Sequence, residues 1–218
     1  RHAVGILRMC IERPIDVSLR AIVGAAMQEE TLGEHSRKRG NDAPRAILAF
    51  FFDRLAVMMR DRGYSAQEVD AVVYNQFEQP AVAAEVPRLL QDVHAFFASM
   101  PEIAASLAGA NKRITNILKK SDVQPATAVN PNLLPEPAER ELHQSLLAVA
   151  PRADELFNER QYAASLRELA ALRTPVDAFF DSVMVNVEND ELRANRLALL
   201  ARLHQSMNRV ADLSKLAA

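Results

Sequence analysis

The stretch PRAILAFFFDRLAVMMRDRG, Pro44 to Gly63, decides the fold class. Its apolar residues Ile47, Leu48, Phe51, Leu55, Met58 and Met59 recur at i, i+4, i+8 and i+11, the spacing that lines one face of a helix. Pro44 stands before the stripe and Gly63 after it, the residue types that open and stop helices. Directly beyond, Ser65 and Glu68 have the Ser-x-x-Glu spacing of a capping box, in which hydroxyl and carboxylate satisfy free amides at a helix start. Val69, Val72 and Val73 then supply the buried side of a second helix.

The same period extends in both directions. A further helix is expected from near Pro80 through Leu89, Leu90, Val93 and Phe96 or Phe97, and Pro101 opens the next. Tyr162, Leu166, Leu169, Leu172, Val176, Phe180 and Val183 form a long amphipathic stripe with an expected kink at Pro175. The last helix runs from about Asp190, where the dipole favours the acidic pair Asp190 and Glu191, and its stripe is Leu192, Leu199, Leu200, Leu203, Met207 and Val210. With 6 glycines and almost no alternating apolar/polar runs, the chain reads as all-α, a helical bundle of two packed helical halves. The halves are expected at 1–98 and 99–218. Two stretches depart from the helical period. Glu29 to Pro44 is polar and reads as an exposed loop, while Ser121 to Pro137, with Pro125, Pro131, Pro135 and Pro137, reads as a proline-stiffened connector.

Composition excludes several classes of function. The 218 residues are 49% apolar and 25% charged, enough to bury a core, and 26 Lys+Arg against 28 Asp+Glu rule out binding of nucleic acid by bulk positive charge. The single cysteine, Cys10, removes disulfide frameworks and Cys-rich zinc sites, and it reads as a small buried hydrophobe. An intracellular, cytoplasmic setting is expected. No apolar run approaches the roughly 20 residues of a spanning helix, so no membrane is expected. The opening at Arg1, without Met and already with helix-interior residues, predicts a piece of a longer protein. No glycine-rich phosphate loop, His-Glu-x-x-His pair or Gly-x-Ser-x-Gly elbow is present, and the five histidines are scattered, so neither a metal site nor a catalytic site is expected.

Charge is nevertheless uneven. Asp61 to Ala110 holds two basic and seven acidic residues, and Ser121 to Arg160 three and seven; between them Asn111 to Lys120 has four basic residues and no acid. On a helix Lys112, Arg113, Asn116, Lys119 and Lys120 share an arc of about 120°, opposite Leu107, Ala110, Ile114, Ile117 and Leu118. Such a face binds phosphates through Lys and Arg, and Asn can read a base edge. A solvated lysine face would look the same. Arg193 and Arg196, one turn apart, could grip a phosphate or stack on a base, or could pair with Asp190 and Glu191. Phe179 and Phe180 are placed in the core.

The segment VDAFFDSVMVNVENDELRANRLALLARL, Val176 to Leu203, resembles the last helices of the anticodon-binding domain named for its Asp-Ala-Leu-Arg signature. The signature stands here as Asp190, Glu191, Leu192 and Arg193, with Glu191 replacing the usual Ala. That domain is shared by arginyl- and cysteinyl-tRNA synthetases and the β subunit of bacterial heterotetrameric glycyl-tRNA synthetases. ANKRITNILKK (Ala110 to Lys120), FFFDRLAVMMRDRGYSAQEVDAVV (Phe50 to Val73), RHAVGILRMCIE (Arg1 to Glu12) and the closing RVADLSKLA all resemble the glycyl β subunit. The resemblance covers most of the chain and weakens over Arg13 to Pro44 and the connector.

That resemblance implies a tRNA-binding, anticodon-recognising portion of an aminoacyl-tRNA synthetase, without catalytic residues of its own. It implies glycine tRNA and the α subunit as partners, and further β-subunit domains upstream, including an HD-like one whose tail lies near Arg1. ATP and Mg belong to the full enzyme, whose α subunit activates glycine; no cofactor is expected in this portion. Glycine anticodons end in two cytosines, so a reading surface needs groups for cytosine edges and basic groups for the loop. The expected tRNA contacts are Lys112, Arg113, Asn116, Lys119 and Lys120 for the backbone, and Arg193, Asn195 and Arg196 for the loop. The alternative is a helical protein-interaction scaffold that binds no nucleic acid; salt distinguishes the two, since only phosphate binding weakens steeply with ionic strength.

Overall fold

The computed structural model describes residues 2–13, 15–28, 43–77 and 83–217, and these are all-helical with irregular connections. The chain divides into two compact units, 1–91 and 92–218. The loop expected over Glu29 to Pro44 lies, but for residues 43 and 44, outside the described residues, as does Pro80.

In the first unit α1 (His2–Glu12), α2 (Leu19–Gln28) and α3 (Ala43–Asp61) pack together, with α4 (Ala66–Val72) against α3. Leu48, Phe51, Leu55 and Met59 of the α3 stripe are buried, while Ile47 is exposed and Phe52 takes a core place instead. Each such side chain stabilises the unit by roughly 1.5–3 kcal/mol through the apolar area removed from water. Helix α3 closes in a Schellman arrangement. The Gly63 amide donates to the Arg60 carbonyl at 2.9 Å and the Tyr64 amide to that of Met59 at 3.4 Å, while Gly63 itself takes φ 98°, a conformation that a Cβ would strain. The capping box forms as its spacing predicts: the Ser65 hydroxyl accepts from the Glu68 amide, and the Glu68 carboxylate accepts from the Ser65 amide at 2.9 Å.

The helix expected from Pro80 is α5 (Val86–Ser99). It begins later, after a 3-10 turn at Ala83–Glu85, and carries Pro87 in its first turn. The second unit is built from α6 (Pro101–Lys120), α7 (Pro137–Asn158), α8 (Tyr162–Leu169), α9 (Arg173–Ser182) and α10 (Asp190–Met207). The long stripe from Tyr162 to Val183 is two helices rather than one kinked helix. A 3-10 segment, Ala170–Leu172, separates α8 from α9, because the Pro175 ring cannot accommodate the carbonyl one turn before it and donates no amide bond. Helix α7 carries its own signals, Pro137 at its first position and buried Leu142, Leu146, Val149 and Ala153 at helical spacing, and its 22 residues continue through Pro151.

Helix α10 is the centre of this unit and packs on both α6 and α7. Asn195, Arg196, Leu197, Ala198, Leu199 and Leu200 are all buried. Six consecutive residues span every side of a helix, so α10 is enclosed all round at this level, where the stripe predicted one buried face.

Candidate nucleic-acid interface

Helix α6 starts with Pro101 at its first position and ends with Lys119 and Lys120 in its last turn, where cations complement the helix dipole. Ala104, Leu107, Ala108, Asn111 and Ile114 are buried, leaving Lys112, Arg113, Asn116, Lys119 and Lys120 exposed. Polar contacts fix this rotation. The Asn111 amide donates to the Asn208 side-chain oxygen at 2.7 Å and accepts from the Asn208 amide at 3.2 Å, and Thr115 bonds the His204 ring at 3.1 Å. Burial pushes the His204 pKa down; Asp212 opposes this and Lys119 reinforces it. A neutral imidazole therefore lies behind the basic face at neutral pH.

An open groove of about 580 Å³ runs along that face, lined by Lys112, Arg113, Asn116 and Lys120 from α6 and by Arg193 from the first turn of α10. Ile117, Ser121, Asp122 and Asn186 complete the wall, and Gly109 forms the N-terminal end of the α6 side, where a Cβ would meet nothing within 4 Å. Two patches 73 or more residues apart in sequence thus face one space. Arg193 is held at its edge: it donates to the Asp190 carboxylate at 2.6 Å, lies 3.7 Å from that of Asp122, and keeps 21% of its side chain exposed. Its buried Nε has no bonding partner. Arg113 lies over the Phe180 ring with its guanidinium carbon 4.2 Å from the ring centre.

Of the residues expected to contact tRNA, Lys112, Arg113, Asn116, Lys120 and Arg193 come together in the groove. Lys119 is exposed on the same helix outside the lining. Asn195 and Arg196 are corrections. Asn195 is 1% exposed and straps the connector to α10: its oxygen accepts from the Asn130 amide at 2.7 Å, and its nitrogen donates to the carbonyls of Asn130 at 3.1 Å and Leu133 at 2.8 Å. Arg196 donates to the Glu139 carboxylate at 2.5 Å and to the Met184 carbonyl at 2.7 Å, both charged side chains lying in the interior. Neither residue lines the groove, and burial and protein partners commit their polar groups. Asn195→Ala is expected to cost about 1–3 kcal/mol by orphaning connector backbone groups, seen as a lower urea midpoint and faster amide exchange at Asn130. Unchanged exchange there would contradict the strap.

Asn186 and Asp122 of the groove wall, and Phe180 beneath Arg113, went unmarked by sequence. Asn186 and Asp122 sit on irregular backbone without a periodic signal. Phe180, placed in the core with Phe179, is only half-buried; Phe179 is the fully buried partner, edge-on to it at 5.5 Å. No pattern separates the two, since adjacent residues on a helix differ by about 100° in direction.

Comparison with known proteins adds two family matches and a set of relatives. The DALR anticodon binding domain model matches residues 107–217, and the model described as glycyl-tRNA synthetase beta subunit matches residues 1–74. The whole chain is 51% identical, over 219 aligned positions, to a glycine–tRNA ligase beta subunit of Methylobacillus flagellatus. It is 51% identical to one of Leptothrix cholodnii and 52% identical to one of Janthinobacterium sp., again over its full length. The chain spans about 30% of the length of these relatives.

Proposed function

Since the chain belongs to the DALR anticodon binding domain family, matched over residues 107–217, we propose that its second unit binds the anticodon stem-loop of a tRNA in the α6–α10 groove. The observation that carries this is the meeting of four cationic side chains, Lys112, Arg113, Lys120 and Arg193, around one open groove with amide-bearing Asn116 and Asn186 beside them. Cations hold phosphates and set register, and amides can discriminate base edges. A carboxylate such as Asp122 can accept from the exocyclic amine of cytosine, the base that ends glycine anticodons.

Identity to glycine–tRNA ligase beta subunits along the whole chain supports glycine tRNA as the partner. In this reading the chain is a non-catalytic portion of that ligase. It holds the tRNA so that the acceptor end reaches a glycine-activating site on an α subunit, to which ATP and magnesium are assigned, in the cytoplasm. Among the described residues no helix is long and apolar enough to cross a membrane. Anticodon recognition would then raise aminoacylation by position, without supplying a reacting group.

The test is a titration of the chain with labelled glycine tRNA at two salt concentrations, beside a transcript whose two anticodon cytosines are replaced. Tighter, salt-sensitive binding of the natural transcript is expected. Equal binding of both would reduce the groove to a nonspecific phosphate site. No binding by the folded chain would overturn the reading and favour a protein-interaction scaffold.

A further inference from the structure

Resting on the groove reading above, we infer that Arg113, backed by Phe180, is a stacking shelf for one unpaired nucleobase, so that the groove takes single-stranded loop RNA rather than a phosphate backbone alone. The Arg113 guanidinium lies over the Phe180 ring at 4.2 Å, and that ring makes an edge-on contact with fully buried Phe179. The side of the guanidinium that meets Phe180 is therefore covered by the protein. Arg113 is exposed and lines the groove, which leaves the other face to a ligand.

What the edge of the guanidinium does separates this residue from a structural one. Arg209 makes the same kind of contact, 4.5 Å over Phe157, but its nitrogens are taken by Asp154 at 3.4 Å and Asn158 at 3.0 Å. No such carboxylate or amide holds Arg113 among the described residues. Its N–H groups can still reach a phosphate while its face carries a base, a combination that a planar cation offers and an ammonium does not. The groove has room for it: Gly109 presents no side chain, and the volume of about 580 Å³ exceeds that of a single base.

The probe is an anticodon hairpin of glycine tRNA, and the same hairpin with each loop nucleotide in turn made abasic, titrated against the full 218-residue chain. At one loop position, loss of the base is expected to weaken binding by about 5- to 100-fold, the range spanned by base stacking on protein side chains. In Arg113→Lys, which keeps the charge, the intact hairpin should bind as weakly as that abasic one, and removing the base should cost nothing more. Phe180→Leu should give the same non-additivity in part, with helix content unchanged, while Arg54→Lys in the first unit should bind like the parent. A 2-aminopurine at the sensitive position should change its fluorescence on binding the parent and not on binding Arg113→Lys. Abasic hairpins that all bind like the intact one, with the same salt dependence, would overturn the shelf and leave the groove reading standing. An Arg113→Lys chain that still senses the missing base would also overturn it. Hairpins that fail to bind at any salt would overturn both.

Discussion

Replacing Glu139 with alanine is expected to lower the thermal midpoint of the second unit by roughly 10–20 °C, corresponding to about 3–5 kcal/mol. Glu139 is 0% exposed at its side chain and Arg196 5%, so neither charge has water to solvate it. One carboxylate oxygen accepts from Arg196 Nε at 2.5 Å, and the other accepts from the Glu136 amide at 2.8 Å, closing a capping box at the start of α7. Truncation removes both and leaves the guanidinium inside with the Met184 carbonyl as its remaining partner. The loss should be much larger than that of an exposed pair such as Arg60 with Asp70, where solvent screens the attraction. Replacing both members with apolar residues, Glu139→Leu with Arg196→Met, should restore most of the midpoint, because the cost lies in an uncompensated buried charge. Calorimetry on the three variants checks this. A single replacement no worse than the double one would contradict the account.

The second large effect concerns the groove. Lys112→Ala with Lys120→Ala is expected to weaken tRNA binding for natural and anticodon-replaced transcripts alike, and to make the salt dependence shallower by about 2 in slope. Gly109→Leu asks a complementary question without touching charge. Gly109 is a helix-interior glycine whose added Cβ meets open space, so leucine should hold or raise stability, by up to about 1 kcal/mol, while obstructing the N-terminal end of the groove. Binding is expected to fall at least about tenfold, or 1.4 kcal/mol. A Gly109→Leu chain that melts no lower and binds tRNA unchanged would place the contact surface elsewhere.

Much of this architecture could be read locally. The α3 stripe, the Ser65–Glu68 box, the Gly63 stop and the basic arc of α6 each depend on residues within a few turns of one another, and helical geometry alone relates them. Where a proline competes with a stripe, local spacing does not decide the outcome: Pro175, expected to bend a helix, stands in the first turn of a new one, whereas Pro151 lies inside the longest described helix.

Sequence by itself determined the helical class, the proline-rich connector, the solvent-facing cations of α6 and the family to which they belong, because these rest on period, spacing and signature. Tertiary structure alone decided which polar residues near the start of α10 face the groove. Arg193, Asn195 and Arg196 lie within four positions of one another and carry similar chemistry. Yet Arg193 reaches the groove, Asn195 straps the connector and Arg196 enters the core. Their fates are set by partners at Asp122, Asn130, Leu133 and Glu139, more than fifty residues away in the chain. The packing of α10 between α6 and α7 buries it on all sides at that level, and no pattern within α10 encodes which elements will surround it.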